Sequence, residues 1–183
     1  MNPCYIAVEK FSPKDGQKWE EYIRWSGLSQ LTELVSLDIC LCNRVLSEFT
    51  TDDYKHFNQG PYLSGFFQDL GYLLKRVGSK TNVQILAAAR DPSSETINLL
   101  PDSRFEFKGY DLLEVEDLAG STGISALTNC GGFDKSFSNS ELSEVGLIKR
   151  FARVREIQKS LATNYPDEPL AQTTVWALWR MNQ

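Results

Sequence analysis

The sequence predicts an α+β fold: a central mixed, mostly antiparallel sheet with two main amphipathic helices, about residues 61–77 and 147–164, packed on it. Three observations carry this. Short segments of two-residue apolar alternation occur near both ends and in the middle of the chain. Two longer segments keep helical three-to-four spacing. The two kinds do not alternate strictly, which disfavours a doubly wound Rossmann-type fold. With 183 residues and no internal repeat, linker or low-complexity tract, residues 1–183 read as one domain able to bury a core without metal or disulfide.

Taken in order, residues 4–8 alternate and read as an opening strand, and Phe11-Ser12-Pro13-Lys14-Asp15-Gly16 is a turn cluster. Trp19, Tyr22, Ile23 and Leu28 then recur at helical spacing. Residues 34–41 read as a strand with Val35, Leu37, Ile39 and Leu41 on one face and Asp38, Cys40 and Cys42 on the other. Thr50-Thr51-Asp52-Asp53 is a helix-start signal, with Thr51 or Asp52 as cap. The first main helix begins at Pro61, shows Leu63, Phe66, Phe67, Leu70, Leu73, Leu74 and Val77 as a stripe, and stops at Gly78 after Lys75 and Arg76. Residues 82–90 form a largely apolar run suited to a buried central strand, although periodicity alone leaves a helix open. Residues 105–116 alternate again, with a register shift expected near Gly109. Residues 123–127 read as a further strand, and Asn139 or Ser140 as the cap of a short helical turn. The last helix, from Leu147 through Phe151, Val154, Ile157 and Leu161, is stopped by Tyr165-Pro166, and residues 173–181 close the chain as an aromatic-rich strand.

Composition narrows the function classes. The net charge of −5 suits a phosphate backbone poorly, so a nucleic-acid partner is not expected. No apolar stretch approaches the ~18 residues of a membrane span. The start Met1-Asn2-Pro3-Cys4 lacks the basic and apolar regions of a secretory leader, so a cytoplasmic protein with reduced thiols is expected.

Candidate chemistry is sparse. The single histidine, His56, excludes multi-histidine metal sites and would have to be the base of any base-assisted hydrolase; otherwise it is a surface or cap residue. Cys130, in Thr128-Asn129-Cys130-Gly131-Gly132-Phe133, is the best nucleophile candidate. Backbone N–H groups beside the glycines and the amide of Asn129 would serve as oxyanion donors. The competing reading is a buried cysteine beside a tight glycine turn. Cys40-Leu41-Cys42 lacks the second cysteine pair of a zinc site, so no metal or other cofactor is expected. Gly120-Ser121-Thr122-Gly123 lacks the lysine of a phosphate loop. Charge is segregated. Residues 91–120 are rich in acids, including Asp111, Glu114, Glu116 and Asp117, whereas residues 135–160 carry Lys149, Arg150, Arg153, Arg155 and Lys159. Either these are two solvated faces, or the acidic one steers a basic protein partner.

Four segments, residues 107–112, 124–133, 139–148 and the ending Val175-Trp176-Ala177-Leu178-Trp179-Arg180, together resemble an uncharacterised family of small bacterial proteins. The resemblance covers about the last 80 residues of the chain and implies kinship, with no activity attached to it. Its pattern implies Glu-Pro-His-Ala and a cysteine before the final tryptophan pair. This sequence has Glu168-Pro169-Leu170-Ala171-Gln172-Thr173 there, so a role built on that histidine and cysteine fails. The leading expectation is a non-catalytic protein-binding protein of the immunity-inhibitor type. Asp111, Glu114, Glu116 and Asp117 would form its binding face, and some of Trp19, Trp25, Trp176 and Trp179 would be anchors. The alternative is a small cysteine-dependent enzyme using Cys130, Asn129 and His56.

Overall fold

Residues 4–8, 82–90, 105–116 and 173–181 supply β1 (Cys4–Glu9), β2 (Val83–Arg90), β3 (Phe105–Leu113) and β4 (Thr174–Met181), and the helical segments supply α1 (Gln17–Ser26), α2 (Asp53–His56), α3 (Leu70–Val77) and α4 (Phe151–Asn164). These elements come from a computed structural model that describes residues 3–46, 48–58, 65–93, 103–113, 123–129, 133, 135–168 and 171–182. The strands form one sheet in the order β1-β2-β4-β3, and every pairing is antiparallel. The fold is α+β, as the patterning predicts.

The register divides the sheet into two faces. Directly paired residues share a face, so Ile6, Leu86, Leu178 and Asp111 lie on one side, and Ala7, Ala87, Ala177 and Tyr110 on the other. β2 and β4 are buried on both faces, which explains why residues 82–90 read as an unbroken apolar run. On the alanine-rich face α4 packs against β3 and β4, burying Val154, Ile157 and Leu161, with Phe151 against Tyr110. The opposite face, carrying Ile6, Leu86, Leu178 and Asp111, is covered differently. Irregular chain covers it instead, tied down by Gln84 to the Leu34 carbonyl, Ser36 to Asp111, and Phe66 stacked on Trp176.

Both sheet edges are closed by short extended segments. Along β1, Tyr5 exchanges backbone hydrogen bonds with Phe67, and Val8 bridges to Arg44. Along β3, Tyr110 pairs with Ile148 and Leu113 with Ser125. These bridges hide the strand edges from other chains.

The chain departs from the sequence expectations at five places. The first main helix starts at Leu70 and not at Pro61. Gly65 turns the chain at φ +80°, Phe66 and Phe67 run extended to reach Trp176 and Tyr5, and Asp69 caps the helix through the Tyr72 N–H. Residues 61–64 lie outside the described residues. The last helix starts at Phe151, because Leu147 and Ile148 are drawn into the bridge with Tyr110. Residues 34–41 are not a strand. Only Leu34 bridges, to Phe11, and the Asp38 carboxylate then bonds the N–H groups of Cys40 and Leu41 and closes a turn. Residues 123–127 contribute a single bridge at Ser125 before turning. Asn139–Glu141 is a 3-10 turn capped by Ser138, one residue before the expected cap. The register shift near Gly109 is present, between Phe107 and Gly109.

Candidate functional site

The densest chemistry lies under the irregular layer. Asp111 projects from β3 into the covered face and has no solvent exposure. Its Oδ1 accepts from the Ser125 hydroxyl at 2.7 Å and the Leu112 N–H at 2.8 Å, and its Oδ2 accepts from the Ser36 hydroxyl at 3.0 Å. Asp38, equally buried, sits beside it. Asp38 Oδ1 accepts from the Cys40 N–H, and Oδ2 from the Ser125 N–H at 2.8 Å and the Asn129 amide at 3.0 Å. Two serines therefore tie the two aspartates together. Ser125 gives its N–H to Asp38 and its hydroxyl to Asp111, while Ser36 gives its hydroxyl to Asp111 and accepts the Asp38 N–H.

Burial without a paired cation disfavours the charged carboxylate, and the donors only partly offset this. Burial pushes Asp111 up to about 6; the hydroxyl and N–H donors pull the other way, and the Asp38 charge adds to the rise. The same surroundings raise the Cys42 thiol and the Tyr22 phenol, in both cases chiefly through burial. Tyr22 gives its hydroxyl to the Thr128 carbonyl at 2.9 Å. The cluster thus links α1, residues 34–42, β3 and residues 123–129. What it does chemically is cross-link: its acceptors are occupied by local donors.

The expected site residues fall in different places. Asp111, expected on an acidic binding face, is wholly buried and cannot meet a partner; its position on the covered side of β3 decides this. Glu114, Glu116 and Asp117 lie outside the described residues, as does Cys130. Asn129 is described, and its amide is held by Asp38 beneath the β3 edge. His56 lies beyond the opposite edge, where it stacks on Tyr72 at 3.7 Å and its Nδ1 is 3.6 Å from Asp69. Three strand spacings of about 4.8 Å separate the two edges, so His56 and Asn129 are not brought together. Next to His56, Asp53 is buried and holds Arg76 through two nitrogens, at 2.7 and 3.0 Å, and also accepts from Thr50 and the Tyr72 hydroxyl. The Arg76 guanidinium holds the Asp53 carboxyl well below the usual carboxylate range.

Of the other thiols, Cys4 is buried against the Ala88 carbonyl and pushed up to about 12, whereas Cys40 is exposed. Cys40 and Cys42 do not share one face, because the Asp38 turn sends one side chain outward and the other inward. Among the described residues no three His, Cys, Asp or Glu converge on a metal position, and no helix is long and apolar enough to cross a membrane.

No family model, curated protein or solved structure matches this chain.

The surface supplies what the cluster does not. Three of the four tryptophans are core: Trp19 against Phe11 and Tyr22, and Trp176 and Trp179 in the sheet. Trp25, in the last turn of α1, is 59% exposed, and Tyr54 of α2 is 57% exposed with its ring against Phe49 and Phe57. Sequence reasoning missed Asp38, Ser36 and Ser125. The available signal was a lone aspartate inside the apolar run of residues 34–41, where a strand reading leaves its burial unexplained.

Proposed function

We propose that this chain is a non-catalytic protein-binding protein, of the kind that inhibits a toxin by sitting on it, acting in the cytoplasm on a partner of basic character. The observation that carries the reading is Trp25. Trp25 meets Tyr22 on one side and leaves the rest of its ring open on the outer face of α1, apolar area of the kind a partner can cover. Tyr54 is a second such ring. The net charge of −5 favours a basic partner through steering of the encounter. The buried polar residues support the same reading from the other side. Asp38, Asp111 and Asn129 serve internal hydrogen bonds, and His56 is remote from Asn129.

Affinity capture with the folded chain as bait, from the cells that produce it and from cells co-expressing a toxin encoded beside it, tests this. A stoichiometric partner retained by the natural chain and lost with Trp25→Ala is the expected result. Failure to retain any stoichiometric partner in either setting overturns the proposal.

A further inference from the structure

The Asp38–Asp111 pair is a polar tie between two irregular segments and the sheet. Among the described residues, none of residues 36–41 hydrogen-bonds the backbone of a strand. Their polar ties run to Asp111 through Ser36, and to residues 123–129 through Asp38. Residues 123–129 in turn meet the β3 backbone at Ser125 and Ala126.

Both carboxylates of this tie are wholly buried, and their surroundings set the cost of charging them. Asp38 and the Cys42 thiol face Asp111 from residues 34–42, and the Tyr22 phenol faces it from α1. Residues 65–68 and 123–129 bring no acid or base. On the sheet, Arg90 of β2 shares the face of Asp111, but Trp176 of β4 stands between them, and Arg180 of β4 is paired with Glu33. Two negative charges one serine apart in a dry layer therefore repel, with no cation in contact to offset their desolvation. A proton on Asp111 removes that repulsion, and the Ser36 oxygen, 3.0 Å away, can accept it in a hydrogen bond. Burial pushes the Asp111 carboxyl up to about 6, so the proton is held where an exposed aspartate has lost it.

We propose that the pair is a pH-operated latch: protonated, Asp111 holds residues 34–42 and 123–129 down on β3, and loss of its proton lets them lift locally while the strands stay paired. The closed layer binds the proton more tightly than the open one, so opening becomes more frequent as pH rises. The increase should reach about a hundredfold between pH 3 and 7, the ratio set by a roughly two-unit difference between the closed and open carboxyl. The latch is independent of the protein-binding reading.

Two buried thiols report on it. Cys42 is wholly buried within the layer, whereas Cys4 is buried between β1 and β2, with its Sγ on the Ala88 carbonyl. The test is labelling of the folded full chain, carrying Cys40→Ser to remove the exposed thiol, with dithiodipyridine, a reagent that reacts with thiols in acid as well as neutral solution. Each site is followed by peptide mass spectrometry from about pH 4 to 7, and each rate is divided by that of glutathione at the same pH. The expected result is a relative Cys42 rate that rises by about fiftyfold across this range. It should stay flat in Asp111→Asn, and Cys4 should stay slow and flat throughout. If Asp111→Asn does not fold, the divergence of Cys42 from Cys4 in the parent chain decides. A relative Cys42 rate that does not change with pH, or that rises equally in Asp111→Asn, overturns the proposal. So does a Cys4 rate that climbs in step with Cys42, which assigns the pH response to unfolding of the whole chain.

Discussion

At the scale of single residues, Asp111 decides how the covered face of the sheet responds to pH. Its carboxyl is raised to about 6 in the fold, against roughly 3.9 in an unfolded chain. Between those values the native state binds the extra proton. The Asp111 contribution to stability is therefore greatest below about pH 4 and declines as pH rises to about 6. Asp53 acts in the opposite sense and in a different window: its depressed carboxyl stabilises the fold above roughly pH 4 and loses that contribution only in stronger acid. Asp111→Asn should keep the acceptor for Ser125 and Leu112 while its amide turns toward Ser36, whose hydroxyl can reverse its role. Urea unfolding of the natural chain should show stability falling between about pH 4 and 6 relative to Asp111→Asn, by roughly 3 kcal/mol across the whole window. Asp111→Ala, which orphans two hydroxyls and an N–H, should lose about 2–4 kcal/mol at pH 5. Equal pH slopes for the natural chain and Asp111→Asn would show that Asp111 does not carry this titration.

At the scale of elements, Gly109 shows how a strand is bent to meet its neighbour. It sits at φ +142° in the bulge of β3, and a Cβ there would lie 2.8 Å from Leu147 Cβ and 2.9 Å from the Ile148 carbonyl. Both the conformation and the space require glycine. Gly109→Ala should destabilise by about 2–4 kcal/mol, visible as a lower melting temperature, and should loosen the Tyr110–Ile148 bridge in amide exchange. This bulge was legible in the sequence because a glycine interrupts an otherwise regular alternation. β1 and β3 were legible from the same alternation, β2 from an apolar run that left a helix open and β4 from an aromatic-rich run. The stop of α3 was legible from Lys75, Arg76 and Gly78 after the apolar stripe. The starts of α3 and α4 were not, whereas the Asp52 cap of α2 was. Phe66 and Phe67 fit the helical spacing of residues 61–77 as well as they fit an extended segment. Only their distant partners, Trp176 and Tyr5, decide between the two, and periodicity carries no information about partners so far along the chain. The carboxylate cluster was hidden for the same reason. Asp38, Asp111 and Ser125 lie far apart in the chain and meet only once the layer over the sheet has formed.

At the scale of the whole molecule, charge is distributed by burial as much as by sequence. The acid-rich stretch predicted a continuous acidic face, but Asp111 faces inward and contributes nothing to that surface. Both arginines of α4 are occupied as well: Arg153 holds Glu141 and Glu156, and Arg155 holds Asp91 and the Pro92 carbonyl. Recognition by charge alone is therefore weaker than the sequence implies, and an aromatic anchor takes on more of the affinity. The dissociation constant of the purified complex with the captured partner tests this most directly, compared between the natural chain and Trp25→Ala. Since Trp25 is exposed on α1, the substitution should leave the melting temperature nearly unchanged. The account predicts affinity weakened by about 30-fold or more, the size of a hot-spot loss. Affinity within about twofold of the natural chain, at unchanged stability, would contradict it.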